Sequence, residues 1–291
     1  MLTSQVLHQS HQIQLKARRL VDGPFAGDYL SVFKGRGSEF AEVREYVPGD
    51  DIRTIDWKVT ARLGTPHVKQ YIEERELTVM MVADVSESTL FSSNPIAKRE
   101  VIANFCAALS LNAIRHNNRA GLLVFSDQIE AFVAPAKGRL QTMHMLTELL
   151  SPRPRRSSTD LALALRTVRQ RMTRRTMCFV ISDFFDVDFA KALQALNPLH
   201  ELIPVCVVDP ADRVWPDVGL VTLEDLESGR QMLIDSSDPS FQDHYEQIHD
   251  TRRASRRALF RHLGIDSIEI DTGRPFLRPV KQYFQRRARG R

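Results

Sequence analysis

Apolar residues change their spacing twice along the chain. In residues 1–30, Ile13, Leu15 and Leu20 stand among Lys16, Arg18 and Arg19, and a Gly23-Pro24 break follows. That pattern predicts one short helix and a linker. Residues 31–76 interleave Phe40, Val43, Tyr46, Ile52, Ile55, Trp57, Val68 and Tyr71 with charges, with turn residues at Pro48-Gly49-Asp50-Asp51 and Gly64-Thr65-Pro66. A small module of short antiparallel strands is expected there, with Trp57 as a core aromatic whose indole donor is satisfied. From Leu77 the spacing alternates between strand and helix. Leu77 to Ala83 is a continuous apolar run, Asn94-Pro95 offers a helix start, and Ile102, Phe105, Leu109 and Ala113 follow at helical spacing. Apolar runs recur at 120–125, 177–181 and 202–208, separated by helical patterns at 139–150, 160–172 and 188–199. Continuously apolar strands alternating with helices predict an α/β domain, its mainly parallel, doubly wound sheet covered on both faces. Residues 219–235, split by Glu227-Ser228-Gly229-Arg230, read as a hairpin, 239–263 as an amphipathic helix, and 265–291 as a short strand and a basic end. The expected divisions are 1–30, 31–76, 77–264 and 265–291.

Composition narrows the class. The 291 residues are 43% hydrophobic and 26% charged, room for about two domains and a sizeable core. Collagen-like, disordered and disulfide-scaffold classes are excluded. The longest apolar run is far short of the ~20 residues of a membrane span, and Met1-Leu2-Thr3-Ser4-Gln5 lacks a basic-then-apolar export signal. A cytoplasmic location is expected. Cys106, Cys178 and Cys206 are widely spaced among apolar neighbours, which points to buried free thiols rather than zinc ligands or disulfides.

Charge is unevenly spread. The net +4 combines 12 basic and 3 acidic residues in 252–291 with 28 basic and 33 acidic residues in 1–251. A second basic stretch, 151–176, holds eight arginines (153, 155, 156, 166, 169, 171, 174 and 175) against Asp160 alone. A solvated face is the ordinary reading of such a stretch; an acidic partner or nucleic acid is the sharper one.

In an open α/β sheet, ligands gather outside the carboxyl ends of the strands. The first apolar run is followed at once by Asp84-Val85-Ser86-Glu87-Ser88. One carboxylate and two hydroxyls at alternate positions can converge on a hard cation such as Mg²⁺, which takes oxygen ligands. They can equally satisfy turn amides. Two more elements belong at the same rim: the run 177–181 ends in Ser182-Asp183, and the helix near Leu161 is preceded by Ser158-Thr159-Asp160. Asp183, Asp186 and Asp188 also resemble an acid cluster, although Asp188 serves equally as a helix N-terminal acid. Enzyme signals are sparse. Ser86 stands where a phosphate-transferring aspartate enzyme would want a second acid, no Gly-x-x-x-x-Gly-Lys-Ser/Thr loop exists, and the histidines form no His-Glu-x-x-His. A metal-dependent hydrolase would also need a base beside the bound water, and no residue offers one.

The order Gly35-x-Gly37-x-Glu39-Phe40, Arg44-x-Tyr46-x-Pro48-Gly49-Asp50-Asp51, Arg53-x-Ile55-Asp56-Trp57 and Asp84-x-Ser86-x-Ser88 resembles the bacterial domain of unknown function 58 family. The resemblance runs from about residue 30 to about residue 235. It implies a von Willebrand A-like α/β domain behind a small N-terminal β module, commonly encoded beside a MoxR-type AAA+ ATPase. It also implies a metal-ion-dependent adhesion site, with Asp84, Ser86 and Ser88 as first loop, Thr159 as second and Asp183 as third. Ser157, Ser158 and Phe184 stand where such domains usually carry glycine near the site. The expected function is a non-enzymatic adaptor that binds Mg²⁺ or Mn²⁺ weakly and engages the ATPase or its client protein in assembly or maturation of other complexes. The alternative is nucleic-acid binding through the Arg-rich tail and the 151–176 face, for which few aromatics are interleaved.

Overall fold

The structure, a computed structural model, describes residues 4–22, 39–72, 76–151, 158–186, 188–224 and 231–289. Helix α1 (Ser4–Asp22) buries Val6, Ile13 and Ala17, and the latter two join the main hydrophobic core. The expected short N-terminal helix is thus part of the packed body. Strands β1 (Glu39–Glu45) and β2 (His67–Ile72) form the expected antiparallel pair. Between them lies helix α2 (Trp57–Leu63), capped by the Asp56 carboxylate, which accepts from the Lys58 and Val59 amides at 2.9 and 3.3 Å. Trp57 begins this helix at 68% exposure, so the expectation of a core aromatic there is corrected. None of this seven-residue helix is buried: only Val59 and Thr60 are half-buried, and Trp57 stands on its exposed side.

The acidic run before α2 is absorbed by local structure. Arg44 grips Asp50 through two hydrogen bonds of 2.7 and 2.6 Å, holding its carboxyl below the usual range. Gly49 takes φ +113°, a left-handed conformation that only glycine adopts cheaply. Asp51 accepts from the Arg53 amide at 3.0 Å.

The remaining elements in chain order are β3 (Thr78–Asp84), α3 (Lys98–Arg115), β4 (Arg119–Phe125), β5 (Ile129–Ala136), α4 (Arg139–Leu150), α5 (Leu161–Arg171), β6 (Met177–Ser182), α6 (Ala190–Leu196), β7 (Glu201–Val208), β8 (Leu220–Glu224), β9 (Gln231–Asp235), α7 (Pro239–His262), β10 (Ile268–Asp271) and α8 (Leu277–Arg289). Six strands form one sheet in the order β10-β7-β6-β3-β4-β5, parallel except for β5. Strand alternation sends Val79, Met81 and Ala83 to one face, under α1, α3, α4 and α8, and Met80 and Val82 to the other, under α5, α6 and α7. Covering both faces buries every β3 residue after Thr78 and makes the run read as continuously apolar. The three cysteines are free and buried, as expected.

Three details differ from the sequence expectation. Strand β5 is an added antiparallel edge, where Pro135 is tolerated because an edge strand need not donate on both sides. It approaches β4 over Gly121, at which a Cβ would stand 2.8 Å from the Pro135 ring. Helix α3 starts at Lys98, not at Asn94-Pro95, because that loop is tied elsewhere: Ser92 Oγ donates to the Asn94 and Ile96 carbonyls, each at 2.8 Å, and Asn94 Nδ2 donates to Thr272 at 3.1 Å. The sheet and its core also extend past residue 264. β10 pairs with β7, and α8 buries Val280, Tyr283 and Phe284, so 265–291 is built into the α/β layer rather than forming a separate basic end. The 219–235 hairpin forms as β8 and β9; its turn at 227–230 lies outside the described residues, as do Gly35 and Gly37.

Candidate metal centre

The carboxyl edge of the sheet collects the predicted loops. Asp84 ends β3 and is fully buried; its Oδ1 accepts the Ser86 amide at 2.9 Å, turning the chain sharply so that Ser86 Oγ and Ser88 Oγ lie 3.0 Å apart. Thr89 Oγ1 donates to the Ser86 carbonyl at 2.6 Å. The Arg99 guanidinium clamps the same loop through the Val85 and Ser86 carbonyls. From the neighbouring strand, Ser182 Oγ donates to Asp84 Oδ2 at 2.6 Å, which ties the first and third loops together.

Asp183 follows, 4% exposed, and then Phe184 at φ +57°. Such a φ costs a bulky residue about 1–3 kcal/mol, and the ring answers it by packing against Phe189 and Phe260 at centroid distances of 5.5 and 5.6 Å. Glycine is therefore replaced here by a strained but anchored aromatic. Thr159, half-buried, sits on the loop that Asp160 fixes to the end of β4 through its amide bond to the Ser126 carbonyl, 2.9 Å. Asp186 accepts from the Leu161 amide at 2.9 Å, so it braces the start of α5.

A lysine that the sequence reading missed completes the rim. Lys98, 1% exposed, places its ammonium 3.4 Å from Asp183 and 2.8 Å from Asp212, and 4.9 Å from the centre of the Phe185 ring. Its signal was present: Lys98, Val101, Ile102 and Phe105 follow the i, i+3, i+4, i+7 spacing of one helix face, and that face is buried. Asp209 was legible by the same rule that found Asp84, since it directly follows the apolar strand β7, and Asp212 stands three residues further in the same loop.

Burial acts differently on two fully buried aspartates. In Asp84, desolvation and the Asp183 charge outweigh the Ser182 and Ser86 bonds and push its pKa up to about 6. In Asp209, desolvation is overcome by bonds from Ser93, Thr272 and the Ala211 amide, and the carboxyl is held below its usual range. Burial raises Asp212 despite the adjacent Lys98. Among the described residues the rim thus holds four buried or nearly buried carboxylates, Asp84, Asp183, Asp209 and Asp212, and one buried ammonium, Lys98, which pairs with Asp183 and Asp212.

These residues fit a hard divalent cation. Adjacent oxygens around Mg²⁺ at its ~2.1 Å bond length lie about 3 Å apart, the spacing of the Ser86 and Ser88 hydroxyls. A doubly charged ion would also offset the surplus negative charge. Among the described residues no group of three or more His, Cys, Asp or Glu side chains could hold a metal, so ligation at this rim would have to include hydroxyls. Of the predicted set, Asp84, Ser86 and Ser88 form one bonded loop, Asp183 lies close enough to act on Asp84 electrostatically, and Thr159 stands on the adjoining loop.

The arginines of 252–291 are less solvated than their pattern implied. Arg253 and Arg257 reach Glu269 at 2.6 and 3.3 Å, and Arg256 donates to the Asp183 carbonyl at 3.0 Å. Leu259 and Leu263, partly buried, pack on the core. Arg153, Arg155, Arg156 and Ser157 lie outside the described residues.

A six-stranded, mainly parallel sheet covered by helices on both faces, with an Asp-x-Ser-x-Ser loop beside a second aspartate at its carboxyl edge, makes this a doubly wound α/β protein. The chain belongs to the family described as protein of unknown function DUF58, whose model matches residues 42–255. The uncharacterized protein Rv1480 of Mycobacterium tuberculosis is 34% identical over 284 residues, 96% of this chain and 88% of that protein. The uncharacterized protein MAV169 of Mycobacterium avium is 31% identical over 134 residues, 45% of this chain and 78% of that one. Among solved structures, the conserved hypothetical protein BatB from Bacteroides thetaiotaomicron matches at 15% identity and a TM-score of 0.46, covering 73% of this chain and 99% of that one. A von Willebrand factor type A protein from Catenulispora acidiphila matches at 10% identity and a TM-score of 0.33, covering 47% and 34%.

Proposed function

We propose that this rim binds Mg²⁺ or Mn²⁺ through Asp84, Ser86, Ser88, Thr159 and Asp183, and that the chain is a cytoplasmic adaptor that captures an acidic side chain of a partner protein without catalysing a reaction. The bound ion would supply an electrophilic centre for that carboxylate. The chain's own residues do the rest: Asp84 and Ser182 lock two loops together, Arg99 holds the serine loop, and Lys98 keeps Asp183 in place. The observation that carries the reading is the pair of serine hydroxyls 3.0 Å apart beside two buried aspartates, of which Asp183 pairs with Lys98 and Asp84 forms no ion pair among the described residues. The partner expected from the family resemblance is a MoxR-type AAA+ ATPase or the client it remodels. Among the described residues no helix is long and apolar enough to cross a membrane.

Calorimetric titration of MgCl₂ and MnCl₂ into the full chain tests the metal step. Pull-down of the ATPase encoded beside it, with and without chelator, tests the partner step. Binding of either ion, with partner recovery lost in chelator, is the expected result. No heat with either ion and equal recovery in all lanes would remove the reading.

A further inference from the structure

The two arginine-rich stretches stand far apart in the sequence, and the fold brings members of both to one cavity. It measures about 1000 Å³ and lies at the amino-terminal edge of the sheet, the end opposite the rim. Arg175 lines it from the approach to β6, Arg257 and Arg261 from α7, and Arg286 and Arg287 from α8. Among the described residues, two carboxylates, Glu201 and Asp266, share the wall with these five guanidinium groups. Arg287 pairs with Glu201, and Arg257 reaches Glu269 at 3.3 Å. Arg175, Arg261 and Arg286 form no ion pair among the described residues.

A second observation comes from His200, which also lines the cavity. It is 4% exposed, and neither ring nitrogen has a hydrogen-bond partner among the described residues. Leaving a buried polar group unpaired forfeits its hydration with nothing in return. Such a group in a native fold calls for a physical reason, and a polar ligand beside it is one.

We propose that this cavity binds a small anion carrying linked phosphate groups, a di- or triphosphate either free or as part of a nucleotide. Guanidinium forks match phosphate oxygens bidentately, and several converging on one concavity favour a ligand with more than one phosphate. The volume is that of a small-molecule site. The aromatics on its wall, Phe260 and Tyr283, are 2% and 3% exposed and belong to the core. They leave no platform for stacked bases, which argues against a single-stranded nucleic acid as the occupant.

The test is calorimetric titration of the full chain in chelator at about 0.15 M salt, so that the metal rim takes no part. Titrants are inorganic triphosphate, ATP, orthophosphate and a short duplex DNA. Triphosphate should bind at least tenfold more tightly than orthophosphate, and the double variant Arg261→Ala/Arg286→Ala should lose at least tenfold. The control Arg274→Ala, in the loop after β10 at the other end of the sheet, should bind as the unaltered chain does. ATP equal to triphosphate marks the free phosphate chain as ligand, and ATP tighter than triphosphate marks a nucleotide; both support the site. Triphosphate binding that is absent, or undiminished in the double variant, overturns it. Duplex DNA that binds more tightly than triphosphate and is lost in the double variant overturns it in favour of nucleic acid.

Discussion

The two ends of the central sheet carry opposite charge, and they hold it in different ways. At the carboxyl edge the charges are inside: Asp84, Asp183 and Lys98 are all at most 4% exposed and survive there through short bonds between neighbouring loops. At the amino edge the arginines surround an open cavity and three of them have no ionic partner among the described residues. Buried charges are costly to strip of their partners, while solvated ones are nearly free to change. Stability should therefore be written at the first edge and ligand binding alone at the second.

The sharpest way to break this contrast is Lys98→Met. It leaves Asp183 and Asp212 without their shared ammonium and should cost about 3–5 kcal/mol in urea unfolding of the chelator-treated protein. A cost below 1 kcal/mol would mean the pair is neutralised by something else.

Asp84→Asn should act in the opposite direction. An acid whose folded pKa is raised from 3.8 to about 6 favours folding while protonated, so its contribution is lost as pH climbs through that window. A rise of that size corresponds to about 3 kcal/mol. Without metal, the Asn variant should gain on the original chain progressively between pH 4 and 6 and keep the advantage at pH 7.5. Parallel stability curves for the two proteins across that range would refute the assignment.

Millimolar Mg²⁺ should then stabilise the original chain by about 1 kcal/mol, the size expected when ligand stands several-fold above its Kd. Ser88→Ala should abolish most of that gain without altering stability in chelator, as read by melting temperature. An identical gain in Ser88→Ala would place any cation elsewhere. The smallest effect belongs to the other edge: Arg261→Ala/Arg286→Ala should stay within about 0.5 kcal/mol of the original chain. A larger loss would show that these guanidinium groups hold the fold together, and the contrast between the two edges would fail.

Much of the fold is legible in local pattern. The run Leu77 to Ala83 reads as a buried strand because both faces of β3 are covered, and Asp84 is marked as a site residue by standing at its carboxyl end. The Arg44 to Trp57 stretch was specific enough to place the family, and its conformation follows from contacts within a few residues, Arg44 with Asp50 and Asp56 with the first turn of α2. Trp57 was misjudged because an apolar residue in a short helix does not announce which side it takes.

The chain by itself determined the βα alternation, the hydroxyl and carboxylate loop after β3, and the two basic stretches, because each rests on spacing within one segment. Tertiary structure alone decided that Lys98 is the counter-charge of Asp183, 85 positions away, and that Arg175 shares a cavity with Arg286. It also decided that Ile268 to Asp271 completes the sheet beside β7 and not a separate tail. Local spacing records which face a residue takes on its own element. The partner across a loop or strand depends on chain crossings, and these are settled only when the apolar faces close on one another.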